Sequence, residues 1–424
     1  MNLPAVLLLV AAFGTAAVLV LAAIRRSSLG VWHPAVAWLS LHAAFFGIGS
    51  AILALDGRAG PALFVSGATV AFGLGVAGSD RLARRRSRSH VASAGEPGGR
   101  SGSDPGRLRP AIVAVLAGLG ILLIVPTLAR SGLPFFAADI TGSRSELAGL
   151  SLQALRVAVP ALALSLLLGA TRRRLGRRQL VAVGAMILGL ATFDLALASR
   201  YLAAELLAVI LVGMGLAGVR VPARALAPIA LTAVLAFGTV QVLRAYDQAA
   251  GRELTFALER TVNRVVLIQP RTLEALQAAI PDEEPYFLGL TWARRAGPLL
   301  GRTDIPNLGY WIYPRMFPNQ VERGYAAPGI VGEAWANFGP AGLALFVVLG
   351  ASAERLGALV ARRRVGLGDI VAGALVIVFV ARTHALGVNG LAVLLIVVVA
   401  WRVLAAGGWR SLLRDARTVG AWRT

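Results

Sequence analysis

The sequence predicts an all-α, polytopic membrane protein of about eleven transmembrane helices, folded as a single membrane domain over residues 1–424. Three observations lead there. The chain of 424 residues is 57% hydrophobic with a mean hydropathy of +0.71, too apolar for a soluble globule. Many stretches approach the ~20 apolar residues that a membrane helix requires. Arginine, the sole basic residue besides four histidines, is distributed very unevenly among the connections between those stretches, as membrane topology demands.

Taken in order, the expected spans are 3–24, 35–55, 60–79, 110–129, 149–171, 179–198, 201–219, 225–244, 328–350, 369–386 and 388–406. The first has the length of a signal peptide but neither a basic leader nor a small-residue cleavage site, so it reads as a helix. The second and third are split by the turn "DGRAG". The third runs into "RRRSRSHVASAGEPGGRSGSDPGRLR", whose Gly/Ser/Arg composition predicts a disordered cytoplasmic linker over 80–109. The fifth and sixth are divided by "RRRLGRR", and the seventh and eighth by "RVPAR". With the N-terminus outside, alternate connections and the C-terminal tail, together with Arg402 at the inner end of the last span, collect 26 arginines. The short connections opposite hold only Arg58, Arg130, Arg144 and Arg200, with Arg382 near the outer end of the tenth span. The C-terminus is therefore expected in the cytoplasm. The formal net charge of +21 is chiefly this orientation signal, and nucleic-acid binding is not expected.

The chain contains no cysteine, which excludes disulfides and thiolate chemistry. His33, His42, His90 and His384 have no metal-ligand spacing, so no metal is expected. No phosphate-binding loop or dinucleotide fingerprint occurs. No inverted pair of broken helices is apparent, which counts against a secondary transporter.

Polar residues collect on the outer side. Residues 245–327 form one long extracytoplasmic loop in which nine arginines balance nine acids. Its first part spaces Leu254, Leu258, Val262, Val265 and Val266 along one helical face, suited to lying on the membrane or capping the bundle. Its second part, "PYFLGLTWARRAGPLLGRTDIPNLGYWIYPRMFPN", is rich in proline, glycine and aromatics. One reading is an interfacial aromatic belt with turns. The other is a sugar site, because ring faces stack on pyranoses and hydroxyls need paired donors and acceptors.

Further polar clusters lie at the same level. "ARSGLPFFAADITGSRSELAG" holds Asp139, Arg144 and Glu146. "ASRYLAAEL" sets Arg200, Tyr201 and Glu205 together, and "LRAYD" ends a span with Arg244. "ARTHALGVNG" brings in Arg382, His384 and Asn389. In "APGIVGEAWANFGPAGLALFVVLG", Glu333 and Asn337 are four apart and share a helical face. Arg156, deeper in the fifth span, is either a cavity arginine or half of a structural ion pair with Asp194 or Glu205. The clusters together read as the wall of a cavity opening outward.

Three of these segments, "GLPFFAADITGSR", "ASRYLAAELLAVIL" and "APGIVGEAWANFGPAGLALFVVLG", resemble signatures of the bacterial O-antigen polymerase (Wzy-type) family, the oligosaccharide repeat unit polymerases. Phe135–Phe136 stands where that pattern usually has Leu-Phe. The resemblance implies a GT-C-like inverting glycosyltransferase of the plasma (inner) membrane. Such an enzyme transfers a glycan from undecaprenyl pyrophosphate to the non-reducing end of another lipid-linked repeat unit. It implies no cofactor, and as partners the lipid-linked oligosaccharide, the bilayer and possible chain-length regulator and flippase proteins. Carried over by position, Arg144 and Arg200 would hold pyrophosphate or sugar. Glu333 would be the general base, with His384 the second choice. Tyr201, Arg244, Arg264, Asn337 and Arg382 are further candidates for substrate binding. The alternatives are an O-antigen ligase or another lipid-linked glycosyltransferase, and a polysaccharide transporter or flippase.

Overall fold

The computed structural model describes residues 2–25, 27–91, 150–172, 177–196, 200–219, 262–294, 304–319, 324–363 and 367–387, with a few isolated residues elsewhere. The expected spans 110–129, 225–244 and 388–406 lie essentially outside the described residues. Every regular element described is helical. Five helical stretches are long and apolar enough to cross a membrane: Leu3–Ile24, Pro34–Leu55, Gly60–Ala83, Gly329–Arg362 and Leu367–Ala385. The chain divides into two compact units.

The first unit comprises Met1–Pro97, Val234–Ala358 and Phe379–Ala392. Its α1 (Leu3–Ile24) starts at Asn2, whose side chain caps the first turn by accepting from the Ala5 amide. Ala5, Leu9, Ala12, Ala16 and Val20 form a buried stripe at helical spacing, while Leu7, Leu8, Val10, Val18 and Leu21 remain exposed. That pattern suits a helix between protein and lipid. Since lipid tails are as apolar as leucine, close van der Waals packing is what holds such helices together, and small residues permit it. Accordingly α1 packs along α4 (Gly60–Val91), with Gly73 set against Ala16. The first part of the linker expected over 80–109 is helical, because α4 continues through Val91; residues 92–109 lie outside the described residues. Leu82, Ala83 and the arginines after them are good helix formers, and the first glycine comes only at Gly95.

The second span is not one regular helix. It consists of α2 (Pro34–His42), a π-turn at Ala43–Gly47, and α3 (Ile48–Leu55). A second π-turn, Asn263–Leu267, lies against the first and leads into α8 (Ile268–Ala279); α5 (Leu150–Arg172), α6 (Arg177–Ala196) and α7 (Arg200–Leu216) belong to the other unit. Pro270 has no N–H, so the Val266 carbonyl loses its usual helical donor. That oxygen faces Gly49, where a Cβ would collide with it. The segment 263–279 therefore runs beside α3 up to the turn at Asp56–Ala59. There Arg58 pairs with Glu274 at 3.1 Å and Gln277 donates to the Gly60 carbonyl at 3.3 Å. This part of the loop thus packs along the flank of α3 as well as at its end.

Two short helices follow, α9 (Leu290–Ala293) and α10 (Leu308–Met316). The expected continuous span 328–350 is broken. Its first part is α11 (Gly329–Phe338), followed by a 3-10 turn (Gly339–Gly342) and α12 (Leu343–Arg363). Gly339 adopts a positive φ of 57°, a conformation that glycine takes without steric cost, and Pro340 removes a helical donor. The chain reverses there, leaving Gly342 packed against Ala334.

The second unit comprises Gly98–Ala233, Leu359–Val378 and Val393–Thr424. Within it α5 (Leu150–Arg172), α6 (Arg177–Ala196) and α7 (Arg200–Leu216) pack on one another. Leu164 of α5 fills the space beside Gly213 of α7. The last helix, α13 (Leu367–Leu386), has its residues from Phe379 onward in the first unit.

Candidate functional site

The site is built around α11, which spans about half a membrane. Its amino end abuts the Phe46 ring and the His384 carbonyl. Phe46 lies about 18 Å beyond Pro34 at about 1.5 Å per residue, near the middle of that span. At its other end Trp335 meets Phe64 edge-on at 5.2 Å, one turn into α4 beside the Asp56–Ala59 turn. The helix thus starts deep among apolar side chains and climbs to the end of the unit before reversing into α12. Pro328 and Gly329, with φ +58°, set the sharp start.

Glu333 lies halfway up this climb. Its carboxylate packs directly on Gly387, which ends α13 with φ +55° and leaves no room for a Cβ. Asn337, one turn higher, is fully buried and engaged by protein at every polar position. Its Nδ2 donates to Thr291 Oγ1 at 2.7 Å and to the Glu333 carbonyl at 2.8 Å. Its Oδ1 accepts from the Gly289 amide at 2.9 Å. The Phe287 and Leu288 amides donate to the carbonyls of Ala336 and Asn337 at 3.1 and 2.9 Å. Asn337 therefore fastens the loop 287–291 to α11. Leu288 and Gly289, both at positive φ, let that loop turn tightly enough to be held.

The same loop forms one wall of a cavity of about 300 Å³, lined by Glu284, Phe287, Leu290, Asp304, Ile305, Pro306 and Trp311. The opposite wall is set by α10, whose first turn is capped by Asn307 through the Gly309 amide at 3.2 Å. Under both walls lies a packed core of Leu276, Ile280, Leu308, Ile312 and Ala336. The Trp335 indole N–H donates to the Ile280 carbonyl at 3.2 Å, tying this core to α11. Phe287 and Trp311 meet edge-to-face at 6.0 Å. Arg315 sits 4.0 Å over the Trp311 ring and pairs with Glu283 at 3.2 Å.

His384, the other acid–base candidate, is 1% exposed and lies within an aromatic cluster. Trp38 stacks on Phe72 at 3.9 Å and on His42 at 4.5 Å, and His42 stacks on His384 at 5.1 Å. His384 Nε2 lies 2.9 Å from the Trp38 carbonyl; since a carbonyl only accepts, the ring donates there and its proton is on Nε2. The Trp38 indole N–H finds Thr383 Oγ1 at 3.1 Å. This cluster is a packed floor beneath the start of α11. Arg382 is half-buried on α13. Arg264 is exposed on the second π-turn. Arg200 and Tyr201 form the first turn of α7 in the second unit. Arg144 and Arg244 lie outside the described residues.

In the second unit Arg156 and Glu205 are 8% and 1% exposed, with Arg156 Nε 3.9 Å from Glu205 Oε2. Glu205, one of the two partners open to Arg156 in the sequence, is beside it; the side chain of Asp194 lies outside the described residues. A further pairing escaped the sequence altogether. His33 Nδ1 accepts the Ala35 amide at 3.2 Å and so caps α2. Its proton is then on Nε2, 3.4 Å from a Glu354 carboxylate oxygen. Gly357 leaves the space in which that ring sits. A charged imidazole would need the proximity of Glu354 to outweigh both burial and the loss of the cap. Burial wins, and the His33 pKa is pushed down to about 4.

Among the described residues no cluster of three or more metal-ligating side chains occurs. The described chain is all-helical, and its long apolar helices make it a multi-pass membrane protein in a lipid bilayer. Beyond that class, comparison supplies no relative: no protein-family model matches the chain, nor does any curated protein or solved structure.

Proposed function

We propose that the protein is a membrane glycosyltransferase that polymerises lipid-linked oligosaccharide repeat units on the outer face of a bacterial plasma membrane. The observation that carries this reading is the position of Glu333. An ionisable side chain on a half-membrane helix, packed on a glycine that ends another helix, is a candidate functional group by its depth. One helical turn above it, the same helix holds a loop whose cavity combines carboxylates with an indole. That combination suits a pyranose with a hydroxyl to be activated below it.

In this reading Glu333 removes the proton from an acceptor hydroxyl at the non-reducing end of one repeat unit. The oxygen attacks the anomeric carbon of the donor glycan. The carbon–oxygen bond to undecaprenyl pyrophosphate breaks, and the anomeric centre inverts. The pyrophosphate leaves as an anion that Arg264 and Arg382, of the same unit as Glu333, would receive. Guanidinium suits that role because it stays charged and binds phosphate bidentately. His384, donating to a backbone carbonyl within a ring cluster, supports the floor of the site. Asn337 acts through the loop it holds.

The test is glycan length on a gel from a strain lacking this gene, complemented with wild type or Glu333→Gln. Single repeat units in place of a polymer ladder, in both the deletion and the variant, are expected. A ladder that persists without attachment to its final acceptor would instead identify a ligase. An unchanged glycan in the deletion would overturn the glycosyltransferase reading and favour a transporter.

A further inference from the structure

The end of the first unit opposite the Asp56–Ala59 turn carries a basic surface. Three helices run toward it side by side. α1 starts beside that turn, where the Asn2 amide donates to the Ala54 carbonyl at 2.9 Å, and α4 leaves the turn itself. Gly73 of α4 meets Ala16 of α1, and Gly67 and Gly75 of α4 meet Leu343 and Val347 of α12. Arg25 lies nine residues beyond Ala16 and Arg81 eight beyond Gly73. Arg355 lies five residues beyond Gly350, which packs against Phe72 and Val76. The three arginines therefore stand within about one helical turn of a common level. That level is about 31 Å from Gly60 at about 1.5 Å per residue, close to the thickness of a bilayer's hydrocarbon core. All three are exposed. Among the described residues their side chains enter no ion pair and no hydrogen bond. The acids nearby, Asp80 and Glu354, are half-buried, and Glu354 faces His33. The turn that follows Arg25 crosses to α12, where His33 is set against Gly357, and it leaves Val31 72% exposed. Leu82, beside Arg81, is 55% exposed. Segments 25–33, 80–91 and 351–358 together hold eight arginines and two acids, so the charge at this end is strongly positive.

We propose that this end of the first unit is a binding surface for anionic phospholipid headgroups, with Arg25, Arg81 and Arg355 on the phosphates and Val31 and Leu82 among the acyl chains. At the edge of the hydrocarbon an arginine lays its stem along apolar surface and holds its head at the phosphates. Its planar fork matches phosphate oxygens in pairs. A zwitterionic lipid carries its own cation beside the phosphate and has no net charge, so the arginines gain less from it. An anionic lipid leaves the phosphate uncompensated. Close glycine contacts between α1, α4 and α12 hold the three guanidinium groups on one patch, where their attractions act together. Charge that served only to orient the chain would need no preference among lipids once the protein had folded. The surface works in this way whether or not Glu333 serves glycosyl transfer.

The chain contains no cysteine, so Val31→Cys gives one attachment point for a bimane fluorophore on the full-length protein. In phosphatidylcholine nanodiscs, its quenching by brominated phosphatidylglycerol is compared with quenching by brominated phosphatidylcholine of the same acyl chains. The anionic lipid is expected to associate at least about tenfold more tightly at this position. With Arg25→Gln, Arg81→Gln and Arg355→Gln combined, the preference should disappear; all three are exposed changes. Raising sodium chloride from about 0.05 to about 1 M should weaken the preference with the arginines in place, because salt screens exposed charge. That arm decides the matter if the triple variant does not fold. Leu55→Cys, exposed at the other end of the unit, is the reference position and should show no preference. Equal quenching by the two lipids at Val31→Cys would overturn the proposal. So would a preference that survives the triple substitution, one that is insensitive to salt, or the same preference at Leu55→Cys.

Discussion

Replacing Asn337 with alanine should release the loop 287–291 without touching the carboxylate below it. The wild-type amide makes three hydrogen bonds, to Thr291 Oγ1, the Glu333 carbonyl and the Gly289 amide. A typical intramolecular hydrogen bond contributes about 1 kcal/mol net, and a buried group left unsatisfied costs about 1–3 kcal/mol. In the alanine variant the Gly289 amide is the group most exposed to that penalty, since it has no choice of direction. The Thr291 hydroxyl can rotate toward another acceptor. The loop should therefore open more easily by about 2–3 kcal/mol. Opening by about 2 kcal/mol raises the open population roughly thirtyfold. Hydrogen exchange of peptides covering 286–293 measures this directly, and those amides should exchange faster by that factor. Glu333→Gln is the control, because Asn337 bonds the Glu333 carbonyl and not its side chain; exchange at 286–293 should stay at the wild-type rate. Unchanged exchange in Asn337→Ala would refute the reasoning, as would equal acceleration in the control.

Gly387→Ala should impair polymer formation as severely as Glu333→Gln while leaving the carboxylate in place. Its Cβ would occupy the space of the Glu333 side chain at a backbone φ of +55°, and the same gel reads the outcome. Arg156→Met alone should destabilise the second unit by about 3–5 kcal/mol, since it strands a buried carboxylate. Adding Glu205→Leu should recover most of that loss in detergent thermal melts. His33 gives a pH signature. Its folded pKa of about 4 lies below the unfolded value of 6.5, so the unfolded chain binds more protons between those limits. Stability should be flat above pH 6.5 and fall as pH drops toward 4, by on the order of 3 kcal/mol. His33→Gln should make that part of the curve shallower, and an unchanged slope would remove His33 as a contributor.

Much of the helical layout was legible along the chain because the bilayer imposes a length rule on apolar runs. The expected first span, 3–24, coincides with α1, and the turn "DGRAG" does separate α3 from α4. The second span appears within a residue of its expected start, but its π-turn does not. A π-turn depends on what packs beside it, here the Val266 carbonyl freed by Pro270 and received by Gly49. The break in 328–350 was half visible. Pro328, Gly339 and Pro340 were there to read, yet an apolar run of that length scores as a single span, and hydropathy is blind to a chain that turns back. Arg156 announced its need for a partner, and the fold brings Glu205 to it.

The sequence alone determined that this chain is helical and membrane-embedded, since apolar length and helical periodicity are properties of neighbouring residues. It also drew attention to Glu333 and Asn337, because a shared helical face follows from a spacing of four. Only the tertiary structure decided that the two residues have different work. Asn337 spends its hydrogen bonds on Gly289 and Thr291, nearly fifty residues earlier, whereas Glu333 meets Gly387 at the end of another helix. It likewise gathered Glu284, Asp304 and Trp311 around one cavity. No local pattern encodes such meetings, because hydrogen-bond partners and cavity walls are fixed by where the chain returns in space.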